Sequence, residues 1–160
     1  MSSVTETQLK LRDAGIQMKL AVEHIGDEDV FRSCVNSYIA SARSITFVMQ
    51  RGSAPYPELT NWYNDQMAQL KSLPLMKFFQ DQRTHTIHRG VIKPDSRSMR
   101  VSKLVIDGKN VGSSTATIWL FPEAKKYMPH RSGGVIKLCE EYFLILKNLV
   151  HEWLKQKQNA

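Results

Sequence analysis

The sequence has little cysteine and no long run of apolar residues. It contains two cysteines among 160 residues, Cys34 and Cys139, and neither belongs to a C-x-x-C or His-rich spacing that would indicate a metal site. Each lies among apolar residues at helical spacing, so we expect two buried free thiols in a reducing compartment. No stretch approaches the roughly 20 apolar residues that span a bilayer, so we expect no membrane association.

The N-terminal residues also lack the basic and apolar regions that make up a signal peptide. The chain shows no internal repeat, low-complexity tract or long linker that would divide it. Its hydrophobic content of 42% is enough to bury a core at this length. We therefore expect a single domain over residues 1–160, located in the cytoplasm.

The excess of positive charge is confined to one part of the sequence. Between Lys77 and Lys137 there are twelve Lys or Arg residues against four acidic ones, whereas the rest of the chain has ten basic and eleven acidic residues. The net charge of +7 therefore comes from this segment. Such a segment is either an electrostatic footprint for a polyanion or a solvated basic surface, and the sequence leaves both open.

Five stretches have the apolar spacing of amphipathic helices. The clearest follows the capping residue Asp27 and carries apolar side chains at three- and four-residue intervals. Two others begin at prolines, which suit the first helical position. The predicted helices run from about Glu6 to His24, from Asp27 to Gly52, from Pro57 to Leu70, from Pro74 to Gly90 and from Val135 to Leu154.

The residues after Pro94 change to alternating and β-branched types. Two such runs flank Asp107 and Gly108, a pair typical of the tight turn of a β-hairpin. A basic loop then precedes the last helix, so residues 94–132 form an insertion. The sequence predicts a mostly α fold, an antiparallel four- to five-helix bundle with an inserted two-stranded β-hairpin before the last helix.

The end of the fourth predicted helix carries a cation and a base that suit phosphate chemistry. Arg83 and His88 are separated by four residues, and Gly90 follows as a helix stop. A guanidinium binds phosphate oxygens in a bidentate manner, while an imidazole exchanges protons near neutral pH. On one helix the two residues lie about 140° apart, so they would meet where the helix frays or across a dimer.

In the predicted bundle, the penultimate core helix ends in Arg-x4-His, and the second helix contains a tyrosine and small residues at 35–43. With these two features the chain resembles the HEPN superfamily. The resemblance covers about Glu6 to Gly90 and the last helix from Val135. It implies a metal-independent endoribonuclease of toxin or defence type, with the Arg and His of two subunits meeting in a composite site. It also implies a homodimer without a cofactor, and a protein partner such as an antitoxin or a nucleotidyltransferase.

Carried over to this sequence, the resemblance makes Arg83 and His88 the catalytic residues. His88 would move protons during attack of the 2′-hydroxyl, and Arg83 would stabilise charge on the phosphorane. Many active members have Asn, Asp or His after the arginine, where this chain has Thr84. We expect Thr84 and His85 to support the site, since His85 lies on the same side of the helix as His88.

Two other functions are compatible with the sequence. The chain would be a non-catalytic nucleic-acid- or nucleotide-binding module, or a structural homodimeric interaction protein. His85-x-x-His88 also has a usable spacing for zinc, but no third or fourth ligand follows a matching motif, so we expect no metal. Trp119 and Tyr127 lie in the basic insertion, where an exposed ring would stack on a nucleotide. The predicted nucleic-acid-binding residues are Arg89, Lys93, Arg97, Arg100, Lys125, Lys126 and Arg131.

Overall fold

The computed structural model describes residues 4–160, without the side chains of residues 99 and 101–104. Within this range the chain forms six helices and two strands. In order they are α1 (Glu6–Glu23), α2 (Glu28–Ser53), α3 (Pro57–Lys71), α4 (Pro74–His88), β1 (Asp95–Ile106), β2 (Lys109–Leu120), α5 (Ala124–Tyr127) and α6 (Val135–Asn159).

Local sequence explains where the long helices begin. The Thr5 hydroxyl accepts a hydrogen bond from the Gln8 amide at 3.2 Å, and the Gln8 side chain accepts one from the Thr5 amide at 2.9 Å. Asp27 caps α2 by accepting from the Val30 amide at 3.1 Å. Helices α3 and α4 begin with proline, whose missing amide hydrogen costs nothing there.

Helix α2 lies at the centre of the bundle and packs against α1, α3, α4 and α6. Its Tyr38 hydroxyl donates to the Cys139 carbonyl of α6 at 2.7 Å, so the buried phenol is paired. Phe79 of α4 stacks on Tyr142 of α6 with 4.3 Å between ring centroids. Cys34 and Cys139 are buried free cysteines, as predicted, and burial raises the pKa of both thiols.

Strands β1 and β2 form an antiparallel hairpin whose turn agrees with the sequence. Asp107 and Gly108 both have positive φ, of 49° and 74°, as a two-residue type I′ turn requires. Pairing runs from Asp95 opposite Leu120 to Ile106 opposite Lys109, with irregular register between Val101 and Val105.

The prediction of a mostly helical fold with an antiparallel hairpin is confirmed, but the helix count differs. The predicted basic loop contains the short helix α5, which brings the described helices to six. Four residues give too little periodicity for a helix to be recognised. Among residues 4–160, none of the helices has the length and apolar character needed to cross a membrane.

Candidate functional site

A cleft lies between the end of α4 and helix α5. Its volume is about 670 Å³, and every residue that lines it has a polar or charged side chain. Phe78 of α4 is buried in the core, and Asp81, Gln82 and His85 follow it at three-, four- and seven-residue spacing, so the same side of the helix passes from the core into the cleft wall. The lining residues are Asp81, Gln82, Thr84, His85, His88, Arg89, Glu123, Lys126 and Tyr127.

One side-chain contact joins the two walls of the cleft. The Tyr127 hydroxyl of α5 donates a hydrogen bond to the Asp81 carboxylate of α4. That bond, together with partial burial, raises the pKa of Tyr127 to about 12. The Tyr127 ring also meets Phe78 edge to face, with centroids 5.7 Å apart. Tyr127 therefore keeps its proton at neutral pH and acts as a fixed donor.

The structure brings His85 and His88 together on the cleft wall. They are three residues apart on α4, so their side chains share a helix face, with His85 half-buried and His88 exposed. Arg89 follows directly, and Lys126, which is paired with Glu123, lies on the facing wall. Two imidazoles beside two cations are the groups that proton transfer at a phosphate requires.

Arg83 lies on another side of α4 and is not among the residues that line the cleft. Its guanidinium donates to the Thr86 hydroxyl at 3.3 Å, and this hydroxyl donates to the Arg83 carbonyl at 2.7 Å. The helix carries Arg83 and His88 to different sides, as the 140° separation predicted. Thr84 lines the cleft, but its hydroxyl donates to the Gln80 carbonyl at 3.1 Å.

The seven predicted nucleic-acid-binding residues fall into two groups. Lys126 pairs with Glu123, and Arg131 makes a bidentate pair with Glu141 at 2.6 and 2.7 Å that lowers the pKa of this carboxyl group. The other five are exposed and have no ion pair within the described part of the chain. They are Arg89, Lys93, Arg97, Arg100 and Lys125.

The segment between α4 and the hairpin is fixed to α2 by one amide side chain. Asn36 accepts a hydrogen bond from the Ile92 amide at 2.8 Å and donates to the Ile92 carbonyl at 2.9 Å. This pairing imitates a strand ladder and fixes the backbone at Ile92, between the exposed Arg89 and Lys93.

The prediction that Trp119 is an exposed stacking platform is wrong. Its side chain is only 5% exposed and stacks on Phe31 at 4.8 Å between centroids, while its indole donates to the Ile25 carbonyl at 2.8 Å. A large apolar ring at the foot of a hairpin gains more by packing on the bundle than by facing water. Tyr127 is half-buried, and its ring packs on Phe78.

The sequence did not predict the cleft as a whole. Asp81, Gln82 and Glu123 line it but were not predicted as site residues, and Tyr127 was expected only as an exposed ring that stacks on a nucleotide. In the sequence, only the aromatic residues around the basic loop indicate that this loop packs back on α4. Gly133 helps to close it, because its φ of 79° lets its carbonyl accept from the Phe121 amide at 2.8 Å.

The described residues contain no group of three or more His, Cys, Asp or Glu side chains placed to hold a metal ion. His85 and His88 therefore lack, within residues 4–160, the additional ligands that a zinc site needs.

The fold and the cleft define a mostly helical protein with a basic β-hairpin and a histidine-containing polar cleft. Residues 4–111 match the sequence model of the family described as bacteriophage lambda protein ea47, and the chain belongs to that family. The match includes α1 to α4 and β1, and thus the α4 wall of the cleft. No curated protein and no solved structure matches the chain.

Proposed function

We propose that this chain is a HEPN-like, metal-independent endoribonuclease whose proton-transferring groups are His85 and His88. The observation that carries the proposal is their presence in one cleft with Arg89 and Lys126. The cleft volume of about 670 Å³ admits a phosphate with its flanking nucleotides.

The chemistry needs no cofactor. The 2′-oxygen of one nucleotide attacks the neighbouring phosphorus, and the bond from phosphorus to the 5′-oxygen breaks. One imidazole removes the 2′ proton, while the other, in its protonated form, gives a proton to the departing 5′-oxygen. Arg89 stabilises the negative charge on the phosphorane, and Lys126 does so once the phosphate replaces Glu123 as its partner. The products are a 2′,3′-cyclic phosphate and a 5′-hydroxyl.

Arg83 enters this proposal from a second subunit. In the composite arrangement implied by the HEPN resemblance, the arginine of one subunit completes the site that contains the histidine of the other. This accounts for a cation on the side of α4 that does not line its own cleft. The Thr86 hydroxyl that Arg83 contacts at 3.3 Å is a weak partner that phosphate would replace.

Cleavage of a short single-stranded RNA in the presence of EDTA tests the proposal. We expect His88→Ala and His85→Ala each to lose about 100-fold or more in rate, as is typical when a general acid or base is removed. His151→Ala is the matched control, because His151 is exposed on α6 and lies outside the cleft. Equal rates for all four proteins, with equal thermal unfolding, would contradict the proposal.

A mixture of two inactive variants tests the composite site. In a dimer of one Arg83→Ala and one His88→Ala subunit, one of the two sites keeps both residues. Random mixing therefore restores about a quarter of the wild-type rate, since half of the dimers are mixed. No recovery on mixing would show that Arg83 does not act across subunits.

A second function, non-catalytic binding of a nucleic acid, is favoured by a different observation. Arg89, Lys93, Arg97, Arg100 and Lys125 are exposed without ion pairs in the described structure, as phosphate-binding side chains are. This function predicts RNA binding that weakens steeply with salt, while the RNA remains intact after long incubation.

A further inference from the structure

The β-hairpin extends from the bundle as an arm. Among the described residues, the backbone of β1 lies close to no element except β2, whereas the last residues of β2 meet α6 and, through the Trp119 ring, Phe31 of α2. Residues 109–116 of β2 are all exposed, which at about 3.3 Å per residue leaves roughly 26 Å of free ribbon. The exposed residues include Val105, Ile106 and Val111 near the turn.

The foot of the arm is held firmly. Trp119 is buried against Phe31 and bonded to the Ile25 carbonyl, and the chain that enters β1 is fixed by Asn36. The arm therefore has a defined direction relative to the cleft, because α4, the Asn36 contact and β1 follow one another along the chain.

Positive charge occurs on both faces of the arm. Arg97 lies opposite Ile118, whereas Arg100 lies opposite Thr115, three residues further along β1. Side chains alternate along a strand, and directly opposed residues share a face, so Arg97 and Arg100 point to opposite faces. Both are exposed, and the only acidic residues of the arm are Asp95 at its foot and Asp107 in its turn.

The other side chains of the arm distinguish between kinds of polyanion. Residues 95–118 contain no aromatic side chain, so the arm lacks the stacking platforms with which proteins bind unpaired bases. Small residues predominate in the second strand, with Gly112, Ser113, Ser114, Thr115 and Ala116 in sequence, and the hydroxyls there are exposed. A thin ribbon with hydroxyl groups and cations on both faces suits a groove with a phosphate backbone on either side.

We propose that this arm binds double-stranded RNA by lying in its minor groove. The A-form minor groove is wide and shallow and displays 2′-hydroxyl groups, which serine and threonine can hydrogen-bond. Arg97 and Arg100 then contact phosphates of opposite strands. This inference rests on the proposed function: the substrate is an RNA with a paired stem on the arm and an unpaired segment in the cleft.

Binding measurements on the full chain test the arm. The probes are an RNA duplex of about 20 base pairs, a DNA duplex of the same sequence and a single-stranded oligouridine of the same length. The proteins are the wild type, Arg97→Glu, Arg100→Glu and the control Lys147→Glu, which makes the same charge change at an exposed position of α6. Equal thermal unfolding of the four proteins is checked first.

We expect each arm variant to lose about tenfold or more in affinity for the RNA duplex, with the salt dependence reduced by about one ion. Their affinity for oligouridine and the affinities of Lys147→Glu should change by less than about threefold. Three results would each overturn the proposal. They are equal losses of affinity for the RNA duplex and for oligouridine, tighter binding of the wild type to the DNA duplex than to the RNA duplex, and no duplex binding by the wild type.

The same proteins separate failure of the arm from failure of the catalytic proposal. A single-stranded RNA too short to reach the arm should be cut equally by the wild type and both arm variants. If the short RNA is cut but the affinity for the RNA duplex is the same in the wild type, Arg97→Glu and Arg100→Glu, the arm proposal alone is overturned. If duplex affinity depends on them but no RNA is cut, the catalytic proposal alone is overturned.

Discussion

The contact between Tyr127 and Asp81 determines the shape of the cleft. The two residues are 46 positions apart, and their hydrogen bond ties the short helix α5 to the middle of α4. A four-residue helix is not stable alone, so α5 depends on such contacts for its position. Lys126 is on α5, so its distance from His88 depends on the same bond.

Tyr127→Phe should reveal this bond in the pH dependence of stability. The folded pKa of about 12 is above the ordinary value of 10, so the stabilising contribution is fully present below pH 10. It is lost as the pH rises from 10 through 12, because the unfolded chain releases the phenolic proton first. The variant should be less stable by about 1 kcal/mol at neutral pH, as urea unfolding would show.

The control for this measurement is Tyr56→Phe. Tyr56 is exposed and its hydroxyl makes no hydrogen bond in the described structure, so its removal should leave the unfolding free energy nearly unchanged. The difference in unfolding free energy between wild type and Tyr127→Phe should shrink as the pH rises. If it stays constant from pH 8 to 12, the Tyr127 proton is not held by Asp81.

Among single residues, the sequence was informative about chemistry and less so about neighbours. The separation of Arg83 and His88 around α4 followed from helix geometry, and the shared face of His85 and His88 followed from their spacing. The pairing of Asp81 with Tyr127 did not follow from the sequence, because no local pattern relates residues so far apart in the chain.

At the scale of the element, the β-hairpin depends on its foot. Two strands without other support are marginally stable in water, and here one buried indole attaches them to the bundle. The Asp107-Gly108 turn predicted the hairpin, since only residues that tolerate positive φ suit this turn. The burial of Trp119 was not predictable from its basic neighbours, because the sequence does not show which end of a ribbon meets the bundle.

Trp119→Ala should destabilise the protein by about 3–5 kcal/mol, the usual cost of removing a buried tryptophan. Trp119→Phe keeps a ring on Phe31 but loses the hydrogen bond to the Ile25 carbonyl, so we expect a smaller loss. Urea unfolding of the wild type and both variants measures these losses of unfolding free energy. If the alanine variant were as stable as the phenylalanine variant, stacking on Phe31 would not hold the arm.

At the scale of the whole molecule, charge and shape divide the protein into two parts. The long helices supply most of the core, while residues 77–137, which add Phe78, Phe79 and Trp119 to it, contain the positive excess, most of the cleft and the arm. The mostly helical fold was predictable because the apolar residues of the long helices recur at three- and four-residue spacing, and because Asp27, Pro57 and Pro74 indicate where α2, α3 and α4 begin. The cleft was not, because it forms only when a short helix after the arm packs back on α4.

This division also explains why composition alone left two functions open. The sequence located the basic segment, but only the structure shows that Lys126 and Arg131 pair with acidic neighbours while Arg97 and Arg100 remain exposed. The remaining cations lie near the end of α4, around α5 and along the arm. A polyanion that follows them would pass the two histidines, which is why binding and cleavage are proposed for one protein.

The most direct test of the central claim is cleavage, in EDTA, of an RNA with a single 2′-deoxy nucleotide at a mapped cut site. The mechanism predicts that wild type cuts the all-ribose RNA to a 2′,3′-cyclic phosphate and a 5′-hydroxyl, that the deoxy substitution abolishes this cut, and that His88→Ala cuts neither RNA. Cutting of the deoxy-substituted RNA at the same bond, or equal cutting by His88→Ala, would contradict the account.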